Sequence, residues 1–227
     1  MNEGIEASAK AIQEVSKVSG KGIDSIRDLC SFIAKFTGGS LQEAIGIFED
    51  KLRYARWENQ NRLIERANKF LEERGVNRPN QFVPFNVSIP LLQAASLEED
   101  PTLQDLWANL LVNYSLKESG VPPRRLYVDI LEQLFPLDAH ILSKVYSIPF
   151  DLSDHKSVIT SNLPLNAVLA KDDSPTPLNP PEEVMISLSN LERLNCLYIV
   201  RSIDGIQIFG LVNHSFLGKD FIKACML

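Results

Sequence analysis

The sequence predicts a mainly α-helical protein with one small β-hairpin near its carboxyl end. Apolar residues recur at alternating three- and four-residue steps through most of the chain, which is the spacing of one face of a helix. Glycine- and proline-rich breaks separate these stretches, and only the segment after residue 195 has apolar runs around a turn, as paired strands do. With 227 residues, 44% of them hydrophobic, the chain can bury a core as one large domain or two smaller ones.

Composition narrows the class of protein. The net charge of −6 and the isoelectric point of about 5.2 disfavour a protein held on nucleic acid by a global positive field. Cys30, Cys196 and Cys225 are widely separated and lack metal-ligand spacing, so neither a disulfide framework nor a zinc site is expected. No run approaches the ~18 apolar residues of a membrane span, and the acidic amino terminus is not a secretory signal. We expect a cytoplasmic protein.

Residues 1–40 are predicted to form an amphipathic helical arm. Apolar and small residues from Ile5 to Ile33 mark one helical face, and Gly20 and Gly22 interrupt it, so we expect two short helices with a flexible joint. The sequence Gly38-Gly39-Ser40 predicts the end of the second helix, a turn and the start of a new helix.

Residues 41–120 are predicted to form a central helical domain. Its first helix should end at Gly75 and carry acid-to-base pairs such as Glu58 and Arg62. Ser88 and Asp100 stand just before prolines, so they are predicted to cap helices that end near residues 95 and 117. The second of these helices should bury one side, which consists of Leu103, Leu106, Trp107, Leu110, Leu111 and Tyr114.

Residues 121–227 are predicted to form a winged-helix-like α+β domain. Helices near residues 124–135 and 137–146 precede an insert at about residues 148–181. The insert is rich in Pro, Ser, Asn and Asp and is predicted to be flexible, with a short structured piece allowed at residues 162–170. A further helix is indicated by a buried stripe of Val184, Leu188, Leu191 and Leu194.

A β-hairpin and a closing helix follow that stripe. Residues 196–201 and 206–212 flank the turn pair Asp204-Gly205, which favours a tight hairpin. A last helix from Phe216 should pack beneath it. Helix, helix and hairpin in this order are the outline of a winged helix.

Several of these landmarks together resemble the Abi-alpha family, named for abortive infection. They are residues 49–60 with Asn68-Lys69-Phe70-Leu71, residues 90–100 leading into residues 106–111, and Pro136-Leu137-Asp138-Ala139 before the terminal hairpin. The resemblance implies a bacterial antiphage role in which an infected cell stops growing or dies before phage are released. It supplies no catalytic residues.

The winged segment departs from the usual pattern at two places. Asn195-Cys196 stands where a glycine commonly ends the third helix, and Asn213-His214-Ser215 replaces a threonine-proline entry to the last helix. Because asparagine tolerates the left-handed conformation, we expect the fold to keep this turn.

One candidate partner-binding surface lies at the start of the charged central helix. Arg53, Trp57 and Gln60 share one helical side and Arg56 flanks it, so an acidic or nucleotide element of a partner would find an aromatic plane beside guanidinium groups. The alternative is a half-buried Trp57 that fixes helix packing beneath a solvated charged face.

A second candidate is the winged segment, where Arg193 and Arg201 are the basic residues available to a partner. A helix placed in the major groove of DNA would carry one basic residue, Arg193, against three acidic residues, Glu182, Glu183 and Glu192. Charge therefore disfavours nucleic acid and favours a protein partner from the phage or the host.

No residue receives a catalytic, cofactor or metal role. The acidic cluster of Glu98, Glu99, Asp100 and Asp105 surrounds a helix start, where acids accept hydrogen bonds from free amide groups without a metal. His140, His155 and His214 lie in different segments with no nucleophile nearby, which favours surface or capping roles. The sequence does not favour an enzyme.

The amino-terminal arm supplies the sharpest mechanistic hypothesis. Its apolar face would lie on a membrane while Lys10, Lys17, Lys21, Arg27 and Lys35 meet anionic lipid. Packing on the body or self-association of the chain is the alternative, because acids interleave with these bases. We expect a noncatalytic interaction or effector protein in phage defence, with a nucleic-acid-binding regulator as the alternative.

Overall fold

The computed structural model describes residues 22–47, 57–149, 156–171 and 177–226. It confirms a mainly helical protein with a small antiparallel sheet towards the carboxyl end. Within those ranges the helices are α1 (Gly22–Thr37), α2 (Leu41–Ile47), α3 (Trp57–Glu73), α4 (Phe85–Leu97), α5 (Pro101–Tyr114), α6 (Arg125–Leu131), α7 (Pro136–Val145), α8 (Glu182–Arg193) and α9 (Phe216–Met226). The strands are β1 (Val158–Ile159), β2 (Val168–Leu169), β3 (Leu197–Arg201) and β4 (Gln207–His214).

The predicted break between α1 and α2 is confirmed. Gly38 has a φ of +72°, a backbone conformation that suits glycine at the end of a helix. Ser40 and Glu43 then cap α2 reciprocally, since the Ser40 amide donates to Glu43 Oε2 at 2.7 Å and the Glu43 amide to Ser40 Oγ at 3.2 Å.

Helix α1 packs into the body of the protein. The buried side chains of its second half belong to the same hydrophobic cluster as helices α3 to α9. They are Leu29, Cys30, Phe32, Ile33 and Phe36. Residues 1–21, where the predicted joint begins, lie outside the described residues.

The range predicted for the first central helix contains α2 and α3, and residues 48–56 between them lie outside the described residues. The predicted end at Gly75 is confirmed, with a φ of +68° there. The predicted pair also forms, with Arg62 Nη2 2.7 Å from Glu58 Oε1.

Helix α4 begins earlier than predicted. Its first residue is Phe85 and its amino-terminal cap is Pro84, so Ser88 lies inside the helix and is buried there. Pro90 was expected in the first turn but lies in the helix interior. Burial of Val87, Leu91 and Leu92 against the core outweighs the amide that proline lacks.

Helix α5 is the centre of the fold and begins as predicted. Asp100 Oδ1 accepts from the amides of Thr102 at 2.9 Å and Leu103 at 3.1 Å, which confirms the cap. The helix ends at Tyr114, three residues before the predicted end. Every predicted buried residue of α5 is at most 5% exposed.

Helix α6 is shorter than predicted, whereas α7 has the predicted length and lies one residue earlier in the chain. Helix α6 stops at Leu131, and Phe135 is instead the amino-terminal cap of α7, because Pro136 starts the next helix. The side chain of Asp138 accepts from the Phe135 amide at 2.9 Å and so closes the first turn of α7.

The four strands form one antiparallel sheet in the order β2-β1-β4-β3. The predicted hairpin is confirmed as β3 and β4, with Gly205 at a φ of +79° in the turn. The insert contributes β1, which was not predicted, and β2, which lies in the short structured piece allowed at residues 162–170. The register of β3 on β4 shifts between Ile199, which faces Val212, and Val200, which faces Ile208, so residues 209–211 of β4 bend out of register.

Helix α9 packs on α5 and α7 and closes the fold. Asn113 Nδ2 on α5 donates to the Ala224 carbonyl at 2.7 Å, and the Tyr127 hydroxyl donates to Asp220 at 2.6 Å. Helix α8 precedes the hairpin and α9 follows it, as in the predicted order; the winged-helix identity of this arrangement stays a prediction.

Candidate partner-binding groove

An open groove of about 530 Å³ lies between the carboxyl end of α8 and the edge strand β3. Its lining includes both basic residues predicted for the winged segment. The lining residues are Ser189, Glu192, Arg193, Asn195, Tyr198, Ile199, Arg201 and Gln207. Helix periodicity brings Ser189, Glu192 and Arg193 to this side of α8.

The carboxylate of Glu192 is the polar centre of the groove. Its Oε1 accepts from the Ile199 amide at 3.0 Å. Its Oε2 accepts from Gln207 Nε2 at 2.7 Å and from Arg201 Nη2 at 3.2 Å. One carboxylate from the helix therefore collects three donors from the hairpin, and this holds α8 and the two strands together.

Arg193 is held on the helical side of the groove. Its Nη1 donates to Gln133 Oε1 at 2.9 Å, and its Nη2 donates to Asn190 Oδ1 at 2.7 Å. Asn190 is oriented in turn by Asp138, whose Oδ2 accepts from Asn190 Nδ2 at 2.7 Å. The guanidinium of Arg193 is thus exposed but fixed in place by residues of α8 and of the segment before α7.

The strand side of the groove combines a buried floor with exposed apolar groups. Ile199 is 3% exposed, whereas Tyr198 is 47% exposed. Beyond the groove, the hairpin tip carries Ile203 and Ile206, which are 107% and 68% exposed. The hairpin tip therefore presents two apolar side chains to the solvent.

A polar cluster behind the groove fixes the turn from α8 into β3. The Tyr146 hydroxyl donates to the Cys196 carbonyl at 2.7 Å and accepts from the Ser215 amide at 3.0 Å. Ser215 Oγ donates to the Asn195 carbonyl at 2.6 Å, and Asn195 has the expected left-handed backbone with a φ of 56°. Helices α7 and α9 therefore position the groove.

The two buried thiols and the half-buried histidine near this cluster are not set up as nucleophiles or bases. Burial raises the pKa of Cys196 to about 12 and that of Cys225 well above its ordinary range, so both stay protonated at neutral pH. Burial lowers the pKa of His214, whose Nε2 lies 2.9 Å from the Val145 carbonyl.

The first predicted partner surface is only partly described. Arg53 and Arg56 lie outside the described residues, and Trp57 begins α3 with its side chain undescribed. Gln60 is 3% exposed and so lies in the interior. Of the predicted site residues whose side chains the structure describes, Arg193 and Arg201 are brought together and Gln60 lies apart from them.

The acidic residues and histidines that received no catalytic or metal role can also be located in the structure. Glu98 Oε1 accepts from the Asp100 amide at 2.9 Å, and Asp105 pairs with Arg66 at 2.6 Å. His140 is exposed on α7, and His155 lies outside the described residues. Among the described residues, no group of His, Cys, Asp or Glu is arranged to hold a metal ion.

Sequence reasoning missed Glu192 and Tyr198 as groove residues. Glu192 was counted only as an acid opposing DNA binding, because nothing in the sequence shows that the hairpin folds back onto its carboxylate.

No described helix is long and apolar enough to cross a bilayer.

Comparison with known proteins places the chain in one family. Neither the curated proteins nor the solved structures contain a significant match to it. The family model described as abortive infection alpha matches residues 58–225, which run from the start of α3 to the end of α9 and include the whole groove. The chain therefore belongs to the abortive infection alpha family.

Proposed function

We propose that this protein acts in antiphage defence by abortive infection, as a noncatalytic interaction or effector protein. The observation that carries the proposal is the family match over residues 58–225, since the family takes its name from this response. The match covers the body and the sheet, so the defence role is assigned to the folded part that contains the groove.

The groove supports an interaction role for this fold. It is open, lined by two arginines, one carboxylate and an exposed tyrosine, and it adjoins the exposed isoleucines of the hairpin tip. Arginine and tyrosine are enriched where proteins bind each other. A phage or host protein is therefore the proposed partner.

Contact with a membrane would involve the residues before Leu29. From Leu29 onward the apolar side of α1 is buried in the core, and Lys35 Nζ donates to Asn68 Oδ1 on α3 at 3.3 Å. Lys35, one of the bases expected to meet lipid, is thus engaged with the body. The proposal keeps peripheral membrane contact, or self-association, for residues 1–28.

The nucleic-acid alternative has less support from the groove. Arg201 is paired with Glu192, and Arg193 is tied to Gln133 and Asn190. Both cations are partly satisfied before a phosphate arrives. If the alternative is right, DNA should bind at low salt and the binding should weaken as Arg193 and Arg201 are replaced by acids.

A phage challenge of cells that express this gene alone tests the proposal. We expect protection of the culture at low multiplicity of infection and collapse of the culture at high multiplicity, because each infected cell is sacrificed. Cells that carry the empty vector are the control. Equal survival of infected cells at both multiplicities would contradict abortive infection.

A further inference from the structure

We propose that the α8–β3 groove binds an extended acidic segment of a partner protein, which pairs with the outer edge of β3 and displaces Glu192 from its donors. This inference rests on the proposed interaction function. It names the chemistry of the partner and treats Glu192 as an internal stand-in for the partner's carboxylate.

Strand β3 has the geometry for such pairing. It is the last strand of the sheet order β2-β1-β4-β3, and in the described part of the chain it pairs with β4 alone. The Ile199 amide points away from β4, because its acceptor is Glu192 on α8. An edge strand with an outward amide is a template for an added strand.

Glu192 shows what kind of group the edge accepts. A carboxylate is already held there by a backbone amide, a guanidinium and a side-chain amide at 3.0, 3.2 and 2.7 Å. These donors form a receptor for a carboxylate. A partner's aspartate or glutamate would make the same contacts, so the exchange conserves the hydrogen bonds of the groove.

The self-bound state is easy to open at its exposed end. The side chain of Arg201 is 56% exposed and that of Glu192 is 19% exposed, so water reaches this ion pair from the Arg201 side and screens it there. Glu192 nevertheless competes at a high effective concentration because it is part of the same chain. It therefore acts as an autoinhibitory plug that keeps the edge strand covered.

Charge and polarity select the rest of the segment. Arg193 and Arg201 stand on either side of the groove, and Glu192 is the one acid among its described lining residues. Rotation of the Glu192 carboxylate out of the groove therefore leaves the two guanidinium groups to face the partner. A strand that continues towards the hairpin tip would meet Ile203 and Ile206, which are exposed. The partner segment should therefore alternate carboxylates with aliphatic residues, in the two-residue period of a strand.

The first experiment measures binding of a capped synthetic peptide of alternating glutamate and valine by fluorescence anisotropy. A capped peptide of alternating glutamine and valine has nearly the same shape without the charge. We expect the glutamate peptide to bind the full-length protein and the glutamine peptide to bind at least about tenfold more weakly, which corresponds to ~1.4 kcal/mol. Equal affinities would overturn the proposal.

Removal of the plug is the second arm. Glu192→Ala should tighten binding of the glutamate peptide about tenfold, because the peptide no longer competes with the protein's own carboxylate. Unchanged or weaker binding by a Glu192→Ala protein that keeps its circular dichroism spectrum would overturn the plug.

An exposed substitution keeps the proposal testable if Glu192→Ala does not fold. Arg201→Gln should weaken binding of the glutamate peptide by about tenfold, because a charge-assisted hydrogen bond is lost. Arg62→Gln on α3 removes a comparable arginine that pairs with Glu58 outside the groove, and it should bind as the wild type does. Equal effects of the two substitutions, or tighter binding of a short DNA duplex than of the glutamate peptide, would overturn the assignment.

The phage challenge separates this inference from the function on which it rests. Wild-type protection at low multiplicity with no peptide binding would reject the acidic partner and leave the defence role standing. Peptide binding with no protection would reject the defence role alone. If both are right, Arg201→Gln reduces protection and Arg62→Gln does not.

Discussion

At Gly218 the fold leaves no room for a side chain. A Cβ at this position would overlap the Cys196 carbonyl oxygen and the Tyr146 hydroxyl. The close approach lets α9 begin directly against the turn that leads from α8 into β3. A single methyl group would force these elements apart.

Gly218→Ala should therefore lower the free energy of unfolding by about 1–3 kcal/mol, the cost of overpacking a tight site. Chemical denaturation measures it. Gly46→Ala is the matched control, because no atom lies within 4 Å of the added Cβ and alanine favours a helix, so this variant should be unchanged or up to about 1 kcal/mol more stable. An equally small effect at Gly218 would show that α9 can move away freely.

His214 should make the fold sensitive to acid. Burial lowers its pKa below the ordinary 6.5, so the unfolded chain takes up a proton that the folded chain resists as pH falls through 6.5. The stability that the neutral His214 side chain contributes is therefore fully present above pH 6.5 and decreases as the pH falls towards the lower pKa of the folded protein. His214→Gln keeps a donor for the Val145 carbonyl and should lose less stability between about pH 7.5 and about pH 5 than the wild type does.

Denaturation curves at the two pH values measure this difference. His140→Gln on the exposed side of α7 controls for the general effect of removing a histidine. A wild-type loss that His214→Gln reproduces in full would assign the acid sensitivity to other groups.

At single positions, the sequence predicts what depends on local backbone chemistry. The left-handed Asn195, the glycines at helix ends and the Asp100 cap follow from neighbours in the chain. Tyr146, Ser215 and Gly218 do not, because their contacts join residues 50 or more positions apart, or a helix to a distant carbonyl. Such contacts exist only in the assembled fold.

At the scale of elements, helix α5 depends on one cap. Asp100 is its amino-terminal cap and accepts two amides of the first turn. Asp100→Ala should cost about 1 kcal/mol and Asp100→Asn much less, because asparagine caps nearly as well. Thermal unfolding monitored by circular dichroism compares the two. Equal losses would mean that charge, and not the capping bond, is what α5 requires.

Element boundaries show where local signals are overridden. Ser88-Ile89-Pro90 has the pattern of a helix start, yet α4 begins at Phe85 because burial of its apolar face extends the helix backwards. Strands β1 and β2 are two residues each, so they have no periodicity to detect, and they form only because β4 offers β1 an edge.

The candidate site divides in the same way. Arg193 and Arg201 were selected because they are the basic residues of the segment, which the sequence shows directly. The shape of the groove and the role of Glu192 arise from the hairpin folding onto α8. In the sequence, Glu192 was only an acid that opposes DNA binding. In the fold, it accepts three hydrogen bonds from the hairpin and forms the centre of the site.

For the whole molecule, the core includes the second half of α1. Deleting residues 1–38 removes Leu29, Phe32, Ile33 and Phe36, each worth about 1.5–3 kcal/mol when buried. Their sum rivals the ~5–15 kcal/mol that holds a typical domain together. We expect this truncation to lose its cooperative unfolding transition, so it cannot serve as a test of the arm alone.

A chain that begins at Gly22 is the matched truncation. It keeps every buried residue of the described core and should keep a cooperative thermal transition. Its phage protection then reports on residues 1–21 without loss of the body. A folded 1–38 deletion, seen as an unchanged transition, would show that α1 is dispensable for the core.

The packing of α9 on α5 also has a consequence for the order of events during synthesis. The Asn113 amide on α5 is satisfied by the carbonyl of Ala224, and Phe221 is fully buried beside Tyr127. While a ribosome is still translating the residues between these helices, α5 lacks the surface that covers it. The nascent chain therefore cannot complete its core until α9 has emerged from the ribosome, so any activity that needs the folded body begins only after that point.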